Sequence, residues 1–350
     1  MGAWYEGGVR VLVTGATGLL GVEIVRELAS RGHAVRALVR PASPLAGLEG
    51  LPADVVRGDV LERESVRAAL AGVEGLVHAA GIPRIGADTG ETFAVNVRGV
   101  EVVLEAALAA RLARVVVTSS TAVMGGTRAP AVQDETTPGN AEALGIGYFV
   151  SKVRGERAAL AFVPRGLPVV VVRPSYVLGP GDTHGSSASI VTGLARGRLP
   201  GWIEGGASFC DVRDVARGHV EALACGRPGE AYVLGGHNLH MGDFIRRTCA
   251  AAGVAPPPRV PYAVAFAAAA LQEAKAKLTG KRPPTTRDLV RAAALYTWAS
   301  SAKAERELGY AVRPFDEMIA DTLRWAVAVG KLRAETDALR ALATGRATGA

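Results

Sequence analysis

Short runs of apolar, β-branched residues alternate along the chain with longer stretches whose apolar positions recur every three or four residues. The first run, VRVLVTG at residues 9–15, stops at a glycine. LLGVEIVRELASRG follows at helical spacing and ends on Gly32, so a strand passing into an amphipathic helix is predicted. The theme returns at AVRALVR (34–40), ADVVRGD (53–59), GLVHAAG (75–81) and ARVVVTSS (113–120), with helical segments near 62–71 and 89–111. Strands apolar on both faces are those of a parallel sheet covered by helices on each side. An α/β fold built on a doubly wound parallel sheet is the expectation.

From about residue 180 the rhythm changes. GGASFCDVRDVARGHVEALA (205–224) reads as a turn, a short strand and a helix, and GEAYVLGG (229–236) as a strand. MGDFIRRTCAAAG and PYAVAFAAAALQEAKAKLTG read as helices. No internal repeat or long linker is visible. The expected division is 1–180 for the sheet domain, 181–330 for a smaller α/β part that mainly binds substrate, and 331–350 for a charged tail.

Composition narrows the function. Hydrophobic residues make up 49% of the 350 and charged residues 21%, which argues against a disordered chain. The net charge of +7 is spread over scattered arginines and lysines, and aromatics are only 5%, so nucleic acid is not the expected partner. The excess suits a basic surface with a local preference for an anionic cofactor. Cys210, Cys225 and Cys249 lie far apart without ligand spacing, which predicts neither a disulfide framework nor a metal site. The apolar run at 260–271 is too short to span a bilayer, and no signal-peptide pattern is visible. The chain reads as cytoplasmic, with peripheral membrane contact left open.

The first strand-to-helix crossing carries the strongest local signal. TGATGLLG sets Gly15, Gly18 and Gly21 at GxxGxxG spacing. Glycines there permit a tight turn, close approach of a pyrophosphate and close helix packing. The helix start offers free N–H groups to phosphate. Gly15, Thr17, Gly18, Leu19 and Leu20 are the expected contacts of a dinucleotide. At the tip of the second strand stands Leu38-Val39-Arg40, with no acid to bond both ribose hydroxyls. Arg40 can pair with a 2′-phosphate, with Arg36 as second candidate, so NADP(H) is preferred to NAD(H). Asp59, followed by Val60, ends the third strand where the adenine would lie; it either accepts from the adenine amino group or caps the next helix.

YFVSK at 148–152 sets Tyr148 and Lys152 four apart, on one face of a helix. An ammonium beside a phenol favours phenolate, which would make an acid/base able to work near neutrality.

These motifs, taken in order, resemble the extended short-chain dehydrogenase/reductase family. The resemblance covers TGATGLLG, the GD at 58–59, HAAG at 78–81, NVRGV at 96–100, TSS at 118–120, YFVSK, and VVRPSYVLGPGD at 171–182. It implies a Rossmann fold in which Tyr148 exchanges the proton with the substrate oxygen. Lys152 would bond the nicotinamide ribose and depress the tyrosine. Ser120 would hold the substrate oxygen, with Thr121 as understudy. Asn96 matches the asparagine that supports the active-site helix, by a direct role or by a structural bond. Ala79, Ala80 and Gly81 would let the cofactor lie close, with His78 buried rather than catalytic. Pro174 and Ser175 match contacts to the nicotinamide carboxamide. A homodimer through the Tyr148 helix is also implied.

Within that family, sugar-nucleotide epimerases and dehydratases commonly carry an arginine that grips the diphosphate. Ala207 stands at that position here, and a methyl group cannot hold a diphosphate. Asp211 is expected to be structural. The apolar 260–271 segment and the sequence after it look more like dihydroflavonol 4-reductase and 3β-hydroxysteroid dehydrogenase relatives. The expectation is an enzyme interconverting a ketone and a secondary alcohol on a hydrophobic small molecule. An epimerase or dehydratase of a sugar derivative is the alternative, and a non-catalytic cofactor-binding sensor is a third reading.

Overall fold

The computed structural model describes residues 8–86, 89–183 and 189–344. Its strands are β1 (Arg10–Thr14), β2 (Ala34–Val39), β3 (Ala53–Arg57), β4 (Gly75–His78), β5 (Arg114–Thr118), β6 (Val132–Gln133), β7 (Val169–Pro174), β8 (Tyr176–Leu178), β9 (Gly206–Asp211), β10 (Ala231–Leu234), β11 (His237–His240) and β12 (Tyr296–Ala299). Six helices matter for the site: α1 (Leu19–Ser30), α2 (Gly99–Ala109), α3 (Gly147–Leu160), α4 (Val212–Cys225), α5 (Tyr262–Thr279) and α6 (Arg287–Ala293).

Seven strands pair in the order β10-β7-β5-β4-β1-β2-β3, every pair parallel. Alternation along β1 decides the layering. Val11 and Val13 join the core under α1 and α4, whereas Leu12 joins the opposite core with α2. Both faces of the central strands are therefore dry, as the continuous apolar runs required, while the edge strand β3 is largely exposed. Strand order reverses at β1, which has β2 on one side and β4 on the other. A crevice opens at the carboxyl ends of these strands, where ligands bind in open α/β sheets. The helical run expected at 89–111 is interrupted by a π turn at Ala94–Arg98, directly before α2.

A smaller sheet runs β11-β9-β12-β6, with β8 beside β9. The division expected at residue 180 is not where the chain divides. β10 returns to the edge of the large sheet beside β7, and α4 packs into the large core. Conversely, β6 lies in the first half of the chain but pairs with β12. The reason is topological: β10 lies parallel to β7, so the chain between them must cross over the sheet, and α4 covers that face on the way. Of the charged tail, a helix at Asp337–Thr344 packs through Leu339, and residues 345–350 lie outside the described residues.

Candidate active site

The glycine turn after β1 is shaped by close approach. Gly15 has a φ of +68°, and a Cβ there would stand 2.7 Å from Ala80 Cα. At Gly21 a Cβ would stand 2.1 Å from the Gly15 carbonyl oxygen, so this residue serves helix–strand packing. Gly18 is open by comparison: the nearest atom to a Cβ is Gly15 O at 3.3 Å. Gly18 caps α1 without a side-chain bond, and the first turn of α1 holds no acid. Helix geometry leaves the first N–H groups, including those of Leu19 and Leu20, without intrahelical partners. Together with half-buried Thr17, these uncapped donors fit the pyrophosphate of a dinucleotide.

Across the crevice, the Ala79 N–H donates to Thr14 O (3.2 Å) and the Ala80 N–H to Thr14 Oγ1 (3.3 Å). A Cβ at Gly81 would lie 3.3 Å from Asn96 Oδ1 and 3.4 Å from Lys152 Nζ. Gly81 thus keeps the space above the ammonium clear.

The two arginines of β2 separate. Arg36 is held by Asp54 at 2.8 Å and by the Ala69 and Ala71 carbonyls, so it is a structural residue and not a phosphate ligand. Arg40 is exposed at the strand tip, and its guanidinium is in no ion pair among the described residues. The turn that presents it is gripped by Arg57, which donates to the carbonyls of Arg40, Pro41 and Ser43. Arg57 was not apparent from the sequence, since a side chain bonding three carbonyls leaves no motif. Asp59 accepts the Leu61 N–H at 2.9 Å, a turn bond before the next helix rather than a cap on it, while Val60 packs in the core against Gly99.

Helix α3 carries the reactive groups inward. The Ser120 hydroxyl acts on the Tyr148 phenol, pulling it down against the upward push of burial. Ser120 Oγ accepts the Ala122 N–H at 3.1 Å, which fixes the hydroxyl at the start of the turn. Thr121 is buried in the turn that Ser120 caps, so the understudy is not the partner of Tyr148. Lys152 is buried, donates to Thr118 O at 3.1 Å, and is pulled down to about 8 by burial, against which Glu156 acts. Glu156, one turn further on, forms a bidentate pair with Arg173 of β7 at 3.1 and 2.5 Å. This buried pair fixes α3 against the sheet.

The depression of Tyr148 by Lys152 expected from their spacing is corrected. Burial pushes the phenol up, and the counteracting influence is the Ser120 hydrogen bond. The ammonium is engaged instead by the Thr118 carbonyl.

Asn96 works as a bracket. Its Nδ2 donates to Ile82 O (3.2 Å) and Ser151 Oγ (3.0 Å), and its Oδ1 accepts the Ile82 N–H (2.8 Å). Both amide hydrogens are occupied, so the structural option fits and a direct cofactor contact through them does not. Its place in the π turn aims it at Ser151 on α3. Pro174 ends β7. Ser175, expected at the carboxamide, gives its hydroxyl to Cys210 Sγ (3.3 Å) and its N–H to Leu234 O (3.1 Å), so neither donor is left for a ligand. His78 is buried against Thr14 Oγ1 at 2.8 Å and is pulled down to about 3 by burial, with Lys152 adding to the effect. Behind Lys152, His219 faces Thr118 Oγ1 at 3.0 Å and the Val215 carbonyl at 2.8 Å. A carbonyl only accepts, so Nδ1 carries the proton and Thr118 donates to Nε2. Asp211 caps α4 and pairs with Arg213 at 2.8 Å, a structural role.

Tyr148 stands in an apolar wall. It packs, as Ile85 does, against a cluster that includes Ile146, Phe149, Ala292 and Leu295, so residues of α6 and the chain just after it meet α3. Ala207 is buried on β9. Among the described residues no cluster of His, Cys, Asp or Glu could hold a metal.

Comparison with known proteins places this geometry in context. The profile of the NAD dependent epimerase/dehydratase family matches residues 11–235. A Synechocystis protein with a provisional dihydroflavonol 4-reductase name is 32% identical over 324 residues, covering 89% of this chain and 93% of that protein. The 4-hydroxy-2-methyl-3-oxo-4-farnesyl-3,4-dihydroquinoline-1-oxide ketoreductase of Stigmatella aurantiaca is 32% identical over 330 residues, covering 92% and 98%. Among solved structures, gox2253 superposes with a TM-score of 0.81 at 34% identity, over 93% of this chain and all of that one. MoeE5 in complex with UDP-glucuronic acid and NAD gives 0.74 at 25% identity, over 91% and 99%.

Proposed function

This chain belongs to the NAD-dependent epimerase/dehydratase family, the extended short-chain dehydrogenases/reductases, and from that premise we propose that it interconverts a ketone and a secondary alcohol on a hydrophobic small molecule with NADP(H). Its enzyme type, a nicotinamide-dependent reductase or dehydrogenase acting on CH–OH, follows from the family and its relatives. The substrate and the choice of NADP(H) are the proposed part.

A bound nicotinamide supplies the hydride. Gly15, Thr17, Gly18, Leu19 and Leu20 would hold the pyrophosphate, Arg40 the 2′-phosphate, and Lys152 the ribose beside it. As a carbonyl is reduced, negative charge gathers on its oxygen. Ser120 donates a hydrogen bond there, and Tyr148 donates the proton that turns the oxygen into a hydroxyl. Burial favours the protonated phenol, which suits donation. Lys152, anchored by Thr118 O, keeps a positive charge within the site whose strength is tuned by Glu156. In the oxidative direction the same groups run in reverse.

The observation that carries the reading is the buried Tyr148 phenol, on which the Ser120 hydroxyl acts, packed against the apolar cluster that holds Ala292 and Leu295. An apolar wall excludes water and favours an apolar substrate. Ala207, with no charge for a diphosphate, points the same way. The test is a panel of aromatic, steroid and β-keto carbonyls followed by loss of NADPH absorbance. Stoichiometric NADPH consumption by a hydrophobic ketone is expected. A protein that purifies with tightly held cofactor and isomerises a sugar nucleotide without net consumption would replace this reading with the epimerase one.

A further inference from the structure

Helix α5 breaks the usual rule that apolar side chains face inward. Val264 is 57% exposed, Leu271 73% and Leu278 89%. With Ala267, Ala268 and Ala274, also exposed, they recur at three and four residues and form one outward stripe. The opposite face is the packed one: Ala269 is buried, and Ala265 and Phe266 meet Ile203, Val260 and Val290. The sole acid of α5, Glu273, pairs with Arg287 at 2.6 Å, and Gln272 accepts the Thr285 N–H. The outward stripe therefore carries no acid.

Its C-terminal end is strongly cationic. Lys275, Lys277, Lys281 and Arg282 cluster there, all exposed, and none of them is in an ion pair among the described residues. No described helix is long and apolar enough to cross a membrane, so α5 is not a span. An exposed apolar stripe with unpaired cations beside it is the arrangement of a helix that lies in a lipid interface. A second copy of this face would bring cations without acids to meet them, and buried unpaired charge is costly.

We propose that the outward face of α5 docks the protein on an anionic phospholipid surface, with Val264, Leu271 and Leu278 entering the acyl boundary and the four cations meeting phosphate-bearing headgroups. α5 packs on α6, and α6 contributes Ala292 to the wall around Tyr148. The docked face and the apolar wall around Tyr148 are thus joined through the packed pair α5 and α6. The inference does not depend on which substrate the enzyme takes.

The test is flotation of the full-length protein with vesicles of mixed phosphatidylcholine and phosphatidylglycerol, against pure phosphatidylcholine. Wild type is expected to float with the mixed vesicles only, and to be released by high salt. Lys277→Ala with Lys281→Ala is expected to lower partition about 30-fold, at about 1 kcal/mol per basic residue near a charged surface. Leu271→Ser with Leu278→Ser is expected to lower it about 100-fold or more. Both double variants should keep the wild-type circular dichroism spectrum. Wild type that stays unbound to mixed vesicles, or variants that float as wild type does, would overturn the proposal. So would light scattering showing a dimer that the two serine substitutions dissolve without any vesicle binding, since the face would then belong to a second copy.

Discussion

Helices α3 and α5 are inverted versions of each other. α3 turns charge inward, burying Lys152 and Glu156 among the sheet residues. α5 turns carbon outward, exposing Val264, Leu271 and Leu278. Each departs from the partition that folding alone would favour, since buried charge and exposed apolar stripes both carry a cost. The difference teaches where to look for function. On α3 the unusual group needs a dry environment, and on α5 it needs an outside partner.

The inward side is broken most directly at Tyr148. Tyr148→Phe is expected to cut turnover by about 10²–10⁴-fold, the usual contribution of a positioned acid, with cofactor affinity by fluorescence titration held near wild type. A variant with the wild-type rate would remove the phenol from the chemistry. Glu156→Ala strips Arg173 of its bidentate partner, and breaking such a buried pair costs about 3–5 kcal/mol. Urea unfolding should read that loss, and an unchanged midpoint would mean that α3 is not anchored by this pair.

Acid sharpens the comparison further. His78 and His219 lie behind α3 and are held neutral by burial, down to about 3 and about 4. Their folded values lie below the unfolded one, so the unfolded state binds more protons as pH falls below about 6.5. Stability is fully present above that pH and declines toward the folded values, by about 2 kcal/mol per histidine at pH ~5. His219→Asn should flatten the fall between neutral and mildly acid pH in denaturant titrations; an equal slope in the variant would contradict the burial argument.

Smaller effects follow at exposed positions. Arg40→Ala should weaken NADPH by about 1–3 kcal/mol while sparing NADH, as calorimetry with each cofactor would read. Equal losses would count against a 2′-phosphate anchor. Leu278→Ser on α5 should move the unfolding free energy by less than about 0.5 kcal/mol, because its side chain already meets water. A large loss there would mean that the stripe is part of the core after all.

Much of the sheet was legible because its signals are local. The β1 glycine turn, the apolar runs and the Tyr148–Lys152 spacing each sit within a few residues. Arrangements that join distant segments were not. Nothing near Glu156 announces Arg173, and nothing near Arg40 announces Arg57. The spacing of Tyr148 and Lys152 was readable, yet their electrostatics were not, because the Thr118 carbonyl that takes the ammonium arrives from another strand. The bond from Ser175 to Cys210 was hidden for the same reason: Cys210 is brought in by the second sheet. Composition could not reveal the stripe on α5, since exposure depends on which face the neighbours cover.

The crossed strands have a mechanical consequence. β10 completes the large sheet from the far half of the chain, and β6 joins the small sheet from the near half. Neither piece of a chain severed near residue 180 holds a full set of partners. The enzyme should melt in one transition, and a fragment ending there should fail to fold even with nicotinamide nucleotide present. Whatever opens to admit substrate must therefore be a local wall, because the two sheets are laced together.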